Sequence, residues 1–174
     1  MNAPVPAQAM LSEDAVRRFE REIAKYPPEQ KVSAVIACLA VLQKEHGYVS
    51  QASEELVGAA LGMPVIAVHE VTTFYNMFNQ KPVGRFKLNV CTNLPCALRG
   101  GQRALEHLCA SLHVEEGGTT GDGVFTVQKA ECLGACADAP VMLVNDRQMV
   151  SFMIDDRIDP LVATLRQETQ ADAT

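Results

Sequence analysis

The chain has 174 residues, of which 48% are hydrophobic, and its formal net charge is −6 at neutral pH. That hydrophobic fraction supports a packed core and argues against a disordered chain. The negative charge argues against a nucleic-acid binder, because phosphate binding requires a basic face. It also disfavours docking on an anionic membrane surface.

The first twenty residues lack the apolar segment of a secretory signal, and Glu13, Asp14 and Glu20 are atypical of a transit peptide. No run approaches the roughly 20 apolar residues that a membrane helix needs. We therefore expect a cytoplasmic, soluble protein with no membrane insertion of its own. In a reducing compartment, six cysteines are more typical of metal ligands or core residues than of disulfides.

The first 80 residues predict a small helical bundle, preceded by a mobile tail from Met1 to Met10. Ser12 and Ser50 are expected to cap helices, and Gly62 to end one. Apolar residues at helical spacing support the second helix. The predicted helices cover approximately residues 12–26, 30–45, 51–61 and 65–72.

The pattern changes after residue 80 to alternating strand and helix signals. Strands are predicted over residues 86–90, 124–127, 141–144 and 149–152. One helix is predicted from about Gln102 to Leu112, and a last one starts at Asp159-Pro160. This order describes a βαβ unit, a hairpin and a terminal helix, which suits a small mixed sheet with helices packed on it. The prediction is an α+β protein with domains 1–80 and 81–174.

Four of the six cysteines form two pairs that each follow a predicted strand. Four residues separate Cys91 from Cys96, and three separate Cys132 from Cys136. The crossover helix makes the first two strands parallel, so both loops emerge at one end of the sheet. A [2Fe–2S] cluster needs four thiolates, two on each iron. We therefore expect one cluster on these four cysteines and a one-electron transfer function.

Other uses of these cysteines compete with this interpretation. Structural zinc also takes four thiolates at similar spacings. A thioredoxin-type dithiol needs Cys-x-x-Cys, which the chain lacks. Cys38 and Cys109 lie on apolar helix faces, where free cysteine packs as a small hydrophobe.

The remaining polar residues carry weaker signals. Arg99 follows Cys96 and is interpreted as a solvated helix residue that could also offset the charge of a cluster. The four histidines are scattered without ligand spacing: His46, His69, His107 and His113. No Gly-x-Gly-x-x-Gly or Walker-type loop occurs. An electron site without a visible NADH site indicates a partner protein.

Both cysteine loops resemble those of one known family. Residues 91–101 and 131–140 are similar to the cluster loops of the E-type [2Fe–2S] subunits of respiratory complex I, NADH:quinone oxidoreductase. Residues 71–78 resemble the segment that precedes the ferredoxin domain of that family. The resemblance implies a thioredoxin-like ferredoxin domain behind a helical domain. It also implies one [2Fe–2S] cluster on Cys91, Cys96, Cys132 and Cys136.

The resemblance further implies a place in a larger enzyme. The chain would be an electron-transfer subunit with no substrate site of its own, docked beside a flavoprotein subunit that holds FMN and oxidises NADH. It would lie at the inner membrane through that complex. Related subunits serve NAD-linked hydrogenases and formate dehydrogenases, and the motifs do not separate these parents. A thioredoxin-like fold also predicts a cis peptide at Ala139–Pro140.

Overall fold

The computed structural model describes residues 11–171, and the predicted mobility of the first ten residues lies outside this range. The chain divides into two compact units between Pro82 and Val83. Each unit has its own apolar core. Within residues 11–171, no helix is both long and apolar enough to cross a membrane.

The first unit is helical, as predicted. The hydroxyls of Ser12 and Ser50 accept hydrogen bonds from the backbone N–H groups of Ala15 and Ser53, and Gly62 ends a helix in the left-handed conformation. The core includes the buried side chains of Phe19, Leu39, Leu42, Val57, Leu61 and Val68. The α-helices are α1 (Glu13–Ile23), α2 (Val35–His46), α3 (Gln51–Leu61) and α4 (Val65–Phe74).

The second predicted helix is wrong in its first part. Residues Pro28–Ala34 form a 3-10 helix, and the α-helix begins only at Val35. Gln30 N donates to Pro27 O at 2.8 Å, which is the tighter spacing of a 3-10 turn. Apolar periodicity does not distinguish these two helix types over so few residues.

The second unit is a four-stranded mixed sheet with helices packed on it, which confirms the predicted α+β class. The strand order is β2-β1-β3-β4, with β1 and β2 parallel and the other neighbours antiparallel. The strands are β1 (Phe86–Cys91), β2 (Phe125–Ala130), β3 (Met142–Val144) and β4 (Gln148–Val150). The helices are α5 (Leu94–Leu98), α6 (Gly101–Leu112) and α7 (Asp155–Ala171).

Packing on the sheet positions the loops of interest. Leu88 and Val90 of β1 pack with Leu105 and Leu108 of α6 in one core, which α7 joins through Ile158. The crossover through α6 therefore holds β1 and β2 side by side. Cys91 pairs with Ala130 in the parallel register, so both strands end at the same level. The Ala139–Pro140 peptide is cis, as predicted.

Three element boundaries differ from the prediction. The short helix α5 was not predicted, because five residues are too few for a periodic pattern. The last helix starts at Asp155, since Asp155 and Asp156 provide an acidic first turn, and Pro160 lies inside the helix. Strand β4 ends at Val150, because Phe152 has a positive φ of 54° and its N–H donates to Asp138 O.

Candidate metal centre

The first cysteine pair is buried at the end of the central strand. Cys91 is the last residue of β1, and Cys96 lies in α5. They are 2% and 1% exposed, respectively. Asn93 caps α5, because its side-chain oxygen accepts from Leu94 N at 2.9 Å. This cap fixes the turn that brings Cys96 back towards Cys91.

The second cysteine pair lies in an exposed loop after β2. The sulfur atoms of Cys132 and Cys136 are 3.6 Å apart. Gly134 between them has a φ of +81°, a conformation that other residues adopt at a cost. The loop therefore needs glycine at this position to bring its two thiols together.

Hydrogen bonds connect the two loops. Thr92 N donates to Ala130 O at 3.2 Å, and Cys91 N donates to Val141 O at 3.1 Å. The Asn93 side-chain amide donates to the Glu131 carboxylate at 2.9 Å. The loops are distant in sequence, yet these bonds hold them at one end of the sheet.

The four thiols also interact electrically. Burial raises the pKa of Cys96 above its usual value, and the hydrogen bond and charge of Cys91 and the charge of Cys136 add to this. The pKa of Cys136 is raised first by its hydrogen bond with Cys132, then by burial and by the charges of Cys132 and Cys91. Such thiols hold their protons until a metal cation displaces them.

The arrangement is two pairs of sulfur atoms. Among residues 11–171, no group of three or more His, Cys, Asp or Glu side chains is gathered around one point that could hold a single metal ion. Structural zinc requires four ligands on one ion, whereas a two-iron cluster requires one pair of thiolates at each iron. The paired arrangement therefore fits a [2Fe–2S] cluster better than zinc.

Comparison with known proteins agrees with this chemistry. Residues 19–166 match the family model of the thioredoxin-like [2Fe–2S] ferredoxins. The chain belongs to this family.

Two similar relatives are respiratory subunits. The E-type NADH-quinone oxidoreductase subunit numbered 2 of Rhizobium meliloti is 43% identical over 74% of this chain and 75% of the relative. NADH-quinone oxidoreductase subunit 2 of Thermus thermophilus is 37% identical over 85% of this chain and 82% of the relative.

A solved structure supports the fold. An NAD+-reducing [NiFe]-hydrogenase in the H2-reduced state matches with a TM-score of 0.63 and 23% identity. The match covers 75% of this chain and 22% of the hydrogenase chain, so this chain spans about a fifth of that length.

An apolar wall backs the thiols of this ferredoxin. Cys91 and Cys96 pack with Ala139 and Val141, and Leu133 and Ala135 lie against the same cluster. Cys132 and Cys136 are exposed. The pocket thus has a dry side and a wet side, and this asymmetry is one of the means by which a protein tunes a cluster's potential.

The other two cysteines have the environments expected of packing residues. Cys38 is fully buried in the first unit, and burial, with a smaller contribution from Glu22, raises its pKa to about 12. Cys109 packs against the sheet core, and burial raises its pKa too. A neutral buried thiol is a poor nucleophile and a poor metal ligand.

The predicted minor residues lie apart from the thiol pairs. Arg99 is exposed at the end of α5, and His69 and His107 pair with Glu54 and Asp159. The bond from Asn93 to Glu131 was not predicted. Asn before Pro-containing α5 signals a cap, but no sequence pattern signals a contact between residues 38 positions apart.

Proposed function

We propose that this chain is the [2Fe–2S] electron-transfer subunit of an NADH:quinone oxidoreductase. Membership of the ferredoxin family, together with two thiol pairs at one end of β1 and β2, supports this most strongly. The relatives at 37–43% identity carry the names of that enzyme's subunits. The chain would act as part of an NADH dehydrogenase complex, with no substrate site of its own.

The proposed ligands are Cys91 and Cys96 on one side and Cys132 and Cys136 on the other. When bound, a [2Fe–2S] cluster accepts and releases one electron at a time. The apolar wall with Val141 excludes water from the buried pair. The exposed pair leaves the other side open to an electron donor.

The donor is proposed to be FMN on a partner flavoprotein subunit that also binds NADH. NADH delivers two electrons together, so a one-electron centre needs a flavin between itself and NADH. Assembly with that partner would place this chain in the cytoplasm at the inner membrane, attached through the complex.

A second candidate is the iron–sulfur subunit of an NAD-linked hydrogenase or formate dehydrogenase. The structural match to an NAD+-reducing [NiFe]-hydrogenase favours it, although that likeness concerns the fold. Purification from the native host separates these parents, because the subunits that accompany the chain differ. Recovery with no flavoprotein at all would contradict both.

The ligand proposal is tested with six single Cys→Ser variants of the whole chain. Serine at position 91, 96, 132 or 136 should remove or alter the visible absorption and the reduced-state EPR signal, together with bound iron and acid-labile sulfide. Serine at 38 or 109 is the matched control and should leave all three unchanged. Bound zinc without colour, or equal damage from Cys109→Ser, would refute the assignment.

A further inference from the structure

The first unit contains a cavity that the electron-transfer proposal does not use. It has a volume of about 330 Å³ and is lined by residues of α3 and α4 and their flanking segments. Glu54 and His69 form its polar part, and Val49, Val65 and Ile66 its apolar part. Its lining includes neither lysine nor arginine among the described residues.

A buried carboxylate dominates this cavity. The Glu54 side chain is only 7% exposed. Its two oxygens lie 3.0 and 3.1 Å from a single donor atom, His69 Nδ1. Within residues 11–171, no other side chain or backbone group bonds to this carboxylate. An ionised carboxylate can accept about four hydrogen bonds, and leaving it under-satisfied in a buried place is costly.

The mouth of the cavity is apolar. Ile66 is 65% exposed and Val65 is 38% exposed, although both are large hydrophobic residues on α4. Exposed apolar residues beside a buried acid match a side chain with a hydrocarbon stem and a cationic head. Lysine and arginine have this build, since each buries its stem while its head seeks an anion.

We propose that this cavity is a socket for one lysine or arginine side chain of a partner protein. The stem would lie on Val65 and Ile66, and the cationic head would bond to Glu54. A two-residue set of one carboxylate and one imidazole is poorer than the three or four ligands that zinc takes, which favours the basic side chain over a metal ion. The socket goes beyond the redox role, because it needs no cluster.

The test uses the full-length chain with its cluster and follows the Ile66 methyl and His69 ring signals by NMR. The probe is N-acetyl-arginine amide, and N-acetyl-citrulline amide is its uncharged, nearly isosteric control. Arginine amide should give saturable shifts at millimolar concentration. Citrulline amide should bind about tenfold more weakly, because it lacks the charge-assisted bond.

Matched variants locate the effect. Glu54→Gln should weaken arginine binding about tenfold, whereas Glu55→Gln, which removes the same charge from a neighbouring position, should not. Ile66→Ser should weaken both probes, since it removes the contact for the stem. Far-UV circular dichroism checks that each variant is folded.

Several outcomes would overturn the socket. Equal shifts from both probes would mean that no cation is recognised, and the wild-type chain alone decides this even if Glu54→Gln does not fold. Zn²⁺ binding with no arginine shift would make it a metal site instead. The visible spectrum of the same sample reports the cluster separately, so failure of the socket and failure of the redox proposal are distinguishable.

Discussion

Asn93 uses one side chain for two tasks at the thiol site. Its oxygen caps α5, the helix that carries Cys96, and its amide bonds to Glu131 beside Cys132. One residue thus orients the first loop internally and fastens it to the second. Removing the side chain should loosen both thiol pairs relative to each other without touching a sulfur atom.

We predict that Asn93→Ala loses its cluster to a chelator faster than wild type. The cap and the bond to Glu131 each stabilise by about 1 kcal/mol, so unfolding should become about 2 kcal/mol easier. Asn93→Ser is the control, because serine keeps the cap but is too short to span to Glu131. The decay of visible absorption measures the rate. If serine and alanine behave alike, the bond between the loops contributes nothing.

At the scale of elements, the first turn of α6 lies directly against the cysteine backbone. A Cβ added at Gly101 would stand 2.6 Å from Cys91 O and 2.9 Å from Cys96 O. Those distances are shorter than carbon and oxygen tolerate. The helix can approach the end of β1 only because residue 101 has no side chain.

We predict that Gly101→Ala destabilises the holo-protein by about 1–3 kcal/mol, the usual cost of overpacking. The helix must move away, which shifts Cys91 and Cys96. Gly121→Ala is the control, since a Cβ there meets nothing within 4 Å, and its effect should stay within about 0.5 kcal/mol. Urea unfolding followed by absorption and circular dichroism compares the two. A neutral Gly101→Ala would mean that the close approach is not needed.

The elements also mark the limit of prediction from sequence. Long patterns such as α6 and the buried run of β1 were predictable, because periodicity and packing agree there. The start of α7 was missed because Pro160 was given more weight than Asp155 and Asp156. The cysteine pairs were visible in their spacing and in the family resemblance. The bond from Asn93 to Glu131 was not visible, since it depends on the register of two strands.

At the scale of the molecule, all four proposed ligands belong to the unit from Val83 onward, which has its own core. We propose that the chain has two separate domains with a boundary near residues 80–82. The helical unit would then serve assembly, and the sheet unit would serve electron transfer.

We predict that a fragment of residues 83–174 folds and incorporates a [2Fe–2S] cluster with the wild-type visible spectrum. Its own core should be sufficient, although a domain of this size is less stable than a longer chain. The same fragment with Cys91→Ser should remain colourless or altered. A fragment that stays unfolded during cluster reconstitution would show that the sheet unit depends on the helical one.

The two borders of the sheet influence how this molecule can meet other proteins. Residues 117–120 run along the outer side of β2 and bond to Phe125 and Val127, so that border is already occupied. The opposite border, β4, is only three residues long. Such borders give an added strand little to pair with, which protects the protein from edge-to-edge aggregation. A partner must therefore recognise side chains rather than extend the sheet, and point substitutions on the surface should suffice to dissociate it.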